Sequence, residues 1–177
     1  DPELDSTDIS LLLVRPYESK PDTAANRAAK LPISIANFIM SRRFQRLSKL
    51  ENSPIASGEA SKSVLFNELE LGSISAVAAD DRWKEALPIL EQEFRRALQH
   101  GFTEAELTEA KANILNSYQE AVKRKGSRKS ESLATAIAGS VNDGTVFSTP
   151  ETNLEIGTKA LDAITVEMIN GGFNSFW

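Results

Sequence analysis

The sequence predicts an α+β fold in which helices cover one face of an antiparallel sheet. Three observations predict it. Ile9 to Val14 is an apolar run bounded by Ser/Asp-rich residues and by Arg15-Pro16, and it reads as a buried strand. Ser53 to Ser61 and Ser63 to Ala79 lack helical periodicity, and Ile55, Val64, Leu65, Phe66, Leu69, Leu71, Ile74 and Val77 fit two strands paired antiparallel. From Asp80 onward the apolar residues recur at helical spacing.

The elements follow in order. Glu18 to Asp22 is a polar loop, after which Asp22 or Thr23 can cap a long helix running to about Leu50, with Leu31, Ile35, Phe38 or Ile39, and Leu47 on its core face. Pro32 either kinks this helix or marks a late start. Gly72 reads as a bulge or a point of close approach in the second strand of that pair. Asp80 or Asp81 caps the next helix, whose face is Trp83, Leu87, Leu90, Phe94 and Leu98 and which ends at His100-Gly101. Thr103 and Glu106 form a capping box for the following helix, with Phe102 and Leu107 as a hydrophobic staple. Gly126 breaks that helix. Another, through Leu133, Ile137 and Val141, stops at Asn142-Asp143-Gly144. Thr149-Pro150 opens a helix through Leu154 and Leu161. Thr165 caps a short one through Met168 and Ile169, which Gly171-Gly172 interrupts.

Composition bounds the function. At 177 residues the chain can bury a real core, and we read residues 1–177 as one domain. It opens on Asp1 rather than Met and closes on Trp177 just after Phe173 and Phe176, which reads as a piece of a longer multi-domain protein. A net charge of −5 argues against a general nucleic-acid binder. With no cysteine, thiol catalysis, disulfides and cysteine-ligated zinc are excluded. No window reaches the roughly 18 consecutive apolar residues of a membrane span.

Candidate chemistry is sparse. His100 is the single histidine, too few for a histidine-based zinc site, and its place at a helix end suits dipole compensation. Glu104, Glu106 and Glu109 could do acid–base work, but acidic residues favour a first helical turn for electrostatic reasons alone. Arg42, Arg43 and Arg46 could meet a carboxylate on a partner or peptide. The reading preferred on sequence is a solvated helix end. Lys123, Arg124, Lys125, Arg128 and Lys129 form the most basic run, without interleaved aromatics, and read as an exposed helix junction. Gly139 to Gly144 lacks the strand-to-helix context and lysine of a phosphate loop.

Three segments nevertheless resemble the insulinase/pitrilysin family of zinc peptidases, in particular large bacterial zinc proteases. Gly101-Phe102-Thr103-Glu104-Ala105-Glu106-Leu107 with Ala110-Lys111 is similar to the family's G-x-T-x-x-E-L-x-x-A-K. Ser41 to Leu47 resembles N-R-R-L-x-x-L at the end of the long helix, and a tryptophan-bearing helix, Asp81 to His100, immediately precedes the G-x-T segment. The resemblance implies a two-layer sandwich of the mitochondrial-processing-peptidase type, in proteins whose homologous domains form a clamshell around peptide substrates. It also implies that zinc, held by an H-x-x-E-H motif, resides in another domain. Two histidines are needed for that motif and this chain has one, so no catalytic or metal residue carries over. The segment Leu50 to Gly58 lacks the arginine and tyrosine with which some partner domains hold substrate, so substrate-binding residues stay unassigned. The expectation is an inactive domain whose partners are the catalytic zinc domain and, in the intact protein, peptide substrates, with no cofactor of its own, no nucleic acid and no membrane span. A periplasmic location follows from the resemblance alone. The alternatives are a scaffold domain on the same fold, like the respiratory-complex core proteins, and an unrelated helical domain with no antiparallel sheet under the long helix.

Overall fold

The computed structural model describes residues 6–177. The elements are β1 (Thr7–Pro16), α1 (Ala24–Leu47), β2 (Ile55–Leu65), β3 (Leu69–Ala78), α2 (Trp83–His100), α3 (Glu104–Lys123), α4 (Ser130–Asn142), α5 (Pro150–Ala163) and α6 (Val166–Phe176). The three strands form one antiparallel sheet in the order β1-β3-β2. The expected α+β architecture with helices on one face is therefore what the chain adopts.

Alternation along the strands sets the layers. Glu70, Gly72, Ile74, Ala76 and Ala78 of β3 are buried in alternate positions, and the register places Arg15, Leu13, Leu11, Ile9 and Thr7 of β1 opposite them. This face receives the helices: α1 lies along β2, α2 along β3, and α6 packs on α1. Phe44, Phe173, Ile35, Ile39, Met40 and Leu90 fill the interior between the layers. Truncating such a side chain to alanine costs roughly 2–5 kcal/mol, so this seam holds the layers together.

The opposite face of the sheet carries no helices, which corrects the reading of β1 as buried. Its Leu12 and Val14 are 65% and 52% exposed. Other expectations shift for local reasons. The two strands do not divide between Ser61 and Ser63: β2 runs on to Leu65 and the chain turns at Phe66-Asn67, both at positive φ (54° and 56°). The apolar run Val64-Leu65-Phe66 concealed a turn that Asn67 can stabilise, since asparagine tolerates the left-handed region. Gly72 is a point of close approach, where an added Cβ would lie 2.6 Å from Phe176, while the bulge falls beside Ile55 and Ser57. Asp80 and Asp81 do not cap α2. Both adopt positive φ in a short 3₁₀ turn, and Asp81 instead accepts a 2.5 Å hydrogen bond from the Thr7 hydroxyl. The long helix starts at Ala24, capped by Thr23, passes through Pro32, and ends at Leu47 rather than Leu50. Trp83 and Leu87 are more exposed than expected, the buried face of α2 being Ala86, Leu90, Glu93 and Ala97. Gly171 and Gly172 lie inside α6 without interrupting it.

Candidate functional site

The segment with the family likeness folds as its sequence requires. Thr103 caps α3, its hydroxyl accepting from the Glu106 N–H at 3.3 Å, while Glu106 Oε2 accepts from the Thr103 N–H at 3.0 Å. Phe102 and Leu107 are both buried beside this cap. From the buried face of α1, Arg43 donates Nε to Glu106 Oε1 at 2.7 Å and Nη2 to Oε2 at 2.8 Å. The same Nη2 reaches the Gly101 carbonyl at 3.0 Å, and the guanidinium sits 5.0 Å from the Phe102 ring centroid. On the other side, Asn170 of α6 accepts from the Phe102 N–H at 2.8 Å.

This arrangement corrects the reading of the arginines as a solvated helix end. Arg43 is buried and internally paired, and Arg42 reaches Glu109 at 2.7 Å. Arg46 lies more exposed, 3.5 Å from Glu106. Sequence spacing could not reveal these pairs, because the partners sit on different helices more than sixty positions apart. Burial alone would raise the Glu106 pKa, but the Arg43 guanidinium and the Thr103 N–H hold it down at about 2. A carboxylate held so far below neutrality is a poor general base.

The other candidates scatter. His100 is the exposed last residue of α2. Glu104 is exposed in the first turn of α3. The basic run lies exposed between α3 and α4, where Lys123 pairs with Glu120 and Lys125 with Glu151. Among the described residues, no three or more His, Cys, Asp or Glu side chains are grouped as a metal site would need.

Two charged nodes escaped the sequence reading. Glu70, buried on the helix-facing side of β3, is bound by Arg15 from β1 at 2.5 Å and by Lys62 from β2. Both cations also stand over the Phe176 ring, at 4.5 and 4.8 Å. The cations draw its pKa down against the opposing effect of burial. A signal existed: Glu70 falls on the apolar face of an alternating strand, where a charge needs partners. Beside it, a cleft of about 370 Å³ is lined by Tyr17, Glu18, Lys20 and Lys30. The second node joins Asp22 to Arg27 at 2.5 Å and to the Val146 N–H at 2.8 Å, which together place the Asp22 pKa at about 2. Arg27 also donates to the Val146 carbonyl, tying the start of α1 to the loop after α4. These are paired structural charges rather than a reactive constellation.

No family profile and no curated protein matches the chain by sequence. Solved structures match closely in shape. The first half of the periplasmic protease PqqL from Escherichia coli superposes with a TM-score of 0.88 at 22% identity, over 99% of this chain and 37% of that one. A peptidase M16 inactive domain from Pseudomonas fluorescens matches with a TM-score of 0.65 at 14% identity, over 97% of this chain and 38% of that one. The fold is that of an M16, insulinase-type peptidase domain. A chain of complex III2 from Candida albicans shares the fold at a TM-score of 0.58 and 19% identity, over 98% of this chain and 40% of that one. An unrelated helical domain is thereby ruled out. In a second structure of PqqL, the chain spans 19% of the length of the protein it matches.

Proposed function

We propose that this chain is an inactive, non-zinc-binding domain of a multi-domain zinc metalloendopeptidase of the insulinase family. Residues 1–177 form one domain of that protein, and the parent works in the periplasm. The domain helps to build the clamshell chamber that encloses peptide substrates, its helix-free sheet face turned to the enclosed space. One observation carries the reading: a chain with the M16 fold has a single histidine, and that residue lies exposed at the end of α2, far along the sequence from the histidine-free long helix. Zinc, bound elsewhere in the parent, would supply an activated water for amide attack. This domain contributes walls and rigidity, which the paired charges at Arg43, Glu70 and Asp22 supply.

The test uses two proteins: the full-length parent and the 177-residue chain. The parent is expected to cleave unstructured peptides in a chelator-sensitive manner, while the chain alone cleaves nothing and takes up no zinc by calorimetry. Tight one-to-one zinc binding by the chain would overturn the proposal, as would a parent devoid of proteolysis. The second outcome would favour a scaffold role on the same fold, for which the likeness to a complex III2 chain is the supporting observation.

A further inference from the structure

The helix α4 has no visible means of support. It is 13 residues long, has no side-chain hydrogen bond at its N-cap, and contains no buried residue. Isolated helices shorter than about 12–15 residues are marginal in water even with favourable composition. Its apolar residues nevertheless keep a single stripe. Leu133, Ile137 and Val141 recur every four positions, and Ile137 and Val141 are 46% and 78% exposed. In the loop that follows, Val146 and Phe147 are 61% and 41% exposed. Large apolar side chains left exposed along one stripe of a helix mark an interaction site.

Just before the N-terminus of α4, reaching as far as Arg128, lies a groove of about 650 Å³, lined by Tyr118, Ala121, Phe147 and Pro150 with Arg124 and Arg128. Those arginines donate through Nε to the backbone carbonyls of Glu120 and Lys125, and neither forms an ion pair with a carboxylate among the described residues. Lys129, which precedes α4, is exposed as well.

We infer that α4 and this groove are the docking surface for an adjoining domain of the same polypeptide. That domain would present an apolar segment edged with carboxylates. The inference rests on the function proposed above, and the size of PqqL, of which this chain spans 19%, shows how much further polypeptide accompanies this fold in that protein. The basic edge decides between occupants. An occupant with an acidic rim satisfies Arg124, Arg128 and Lys129, which a purely apolar or a basic surface would leave without carboxylate partners. Docking supplies the burial that α4 lacks.

The experiment compares amide hydrogen exchange of α4 in the 177-residue chain and in the full-length parent, each with and without Ile137→Glu/Val141→Glu. In the short chain α4 is expected to exchange fast at every concentration. In the parent it is expected to exchange about tenfold slower or more. The double substitution should restore fast exchange there without changing α1. Equal exchange in both proteins would overturn the inference. So would protection of the short chain that rises with its concentration, which indicates a second copy, or that appears only with phosphatidylglycerol vesicles, which indicates a lipid surface. Peptidase activity measured on the same parent samples separates the two readings. An active parent with unprotected α4 defeats this inference alone, and a protected α4 in an inactive parent defeats only the peptidase reading.

Discussion

Arg43 holds Glu106 in a bidentate grip, Nε to Oε1 at 2.7 Å and Nη2 to Oε2 at 2.8 Å, and so fastens the long helix to the N-terminus of α3. Both side chains are largely buried. Removing one member of such a pair strands a charge in a dry site, which costs about 3–5 kcal/mol. Arg43→Ala should lower the unfolding free energy by an amount in that range, read from urea denaturation. Arg43→Lys should recover only part of it, because an ammonium cannot form the two parallel bonds that Glu106 accepts. Full recovery by lysine would show that charge alone, rather than the fork geometry, fixes this junction.

The same carboxylate couples the ion pair to the helix cap. Thr103→Ala removes the hydroxyl that accepts from the Glu106 N–H, and loss of such a cap typically costs about 1 kcal/mol. Because Glu106 also binds the Thr103 backbone, the two losses should not add. The expected coupling in a Thr103→Ala/Arg43→Ala cycle lies in the range of about 0.5–3 kcal/mol seen for residues sharing a network. Strict additivity would mean that cap and ion pair act separately.

Acid should dismantle these junctions in a defined window. Glu106 has its pKa lowered from 4.5 to about 2, and Asp22 from 3.8 to about 2. A depressed folded-state pKa means that the unfolded chain binds protons first. The stabilisation is therefore complete above the unfolded values and is lost as pH falls towards 2. Stability measured from pH 6 down to pH 2 should stay level until about pH 5 and then decline. Glu106→Gln should start lower and decline less steeply. An equally steep decline in that variant would place the acid sensitivity elsewhere.

What the sequence disclosed and what it withheld divide along physical lines. The capping box and the Thr149-Pro150 start rest on neighbours within a few residues, and both are present in the structure, with Phe102 and Leu107 both buried. The α+β order followed from periodicity, which is also local. The ion pairs of Glu106 and Glu70 were not legible because they join α1 to α3 and β3 to both other strands, and the hydrogen bonds of Asp22 and Arg27 to Val146 reach across to the loop after α4. Asp80 and Asp81 misled for a related reason: they satisfy the preference for a cap by composition, but the chain turns too sharply after β3 for either to serve. The expectation of an inactive domain came from a histidine count, which draws on composition and not on contacts.

The paired glycines of α6 offer a last test, because local preference and packing predict opposite outcomes for neighbouring positions. Sequence preference marks both as helix breakers, yet α6 runs through them. An alanine Cβ at Gly171 would meet nothing within 4 Å, whereas at Gly172 it would lie 2.9 Å from Pro32 Cβ and 3.3 Å from the Ile33 backbone nitrogen. Gly171→Ala should therefore gain roughly 0.5–1 kcal/mol from the lower conformational entropy of the unfolded chain and better helix propensity. Gly172→Ala gains the same but must push α6 away from α1, an overpacking cost of about 1–3 kcal/mol. Thermal unfolding should rise for the first variant and fall for the second. A rise for both would mean that the α1–α6 contact yields easily, and that Gly172 is not what allows the last helix to close over Pro32.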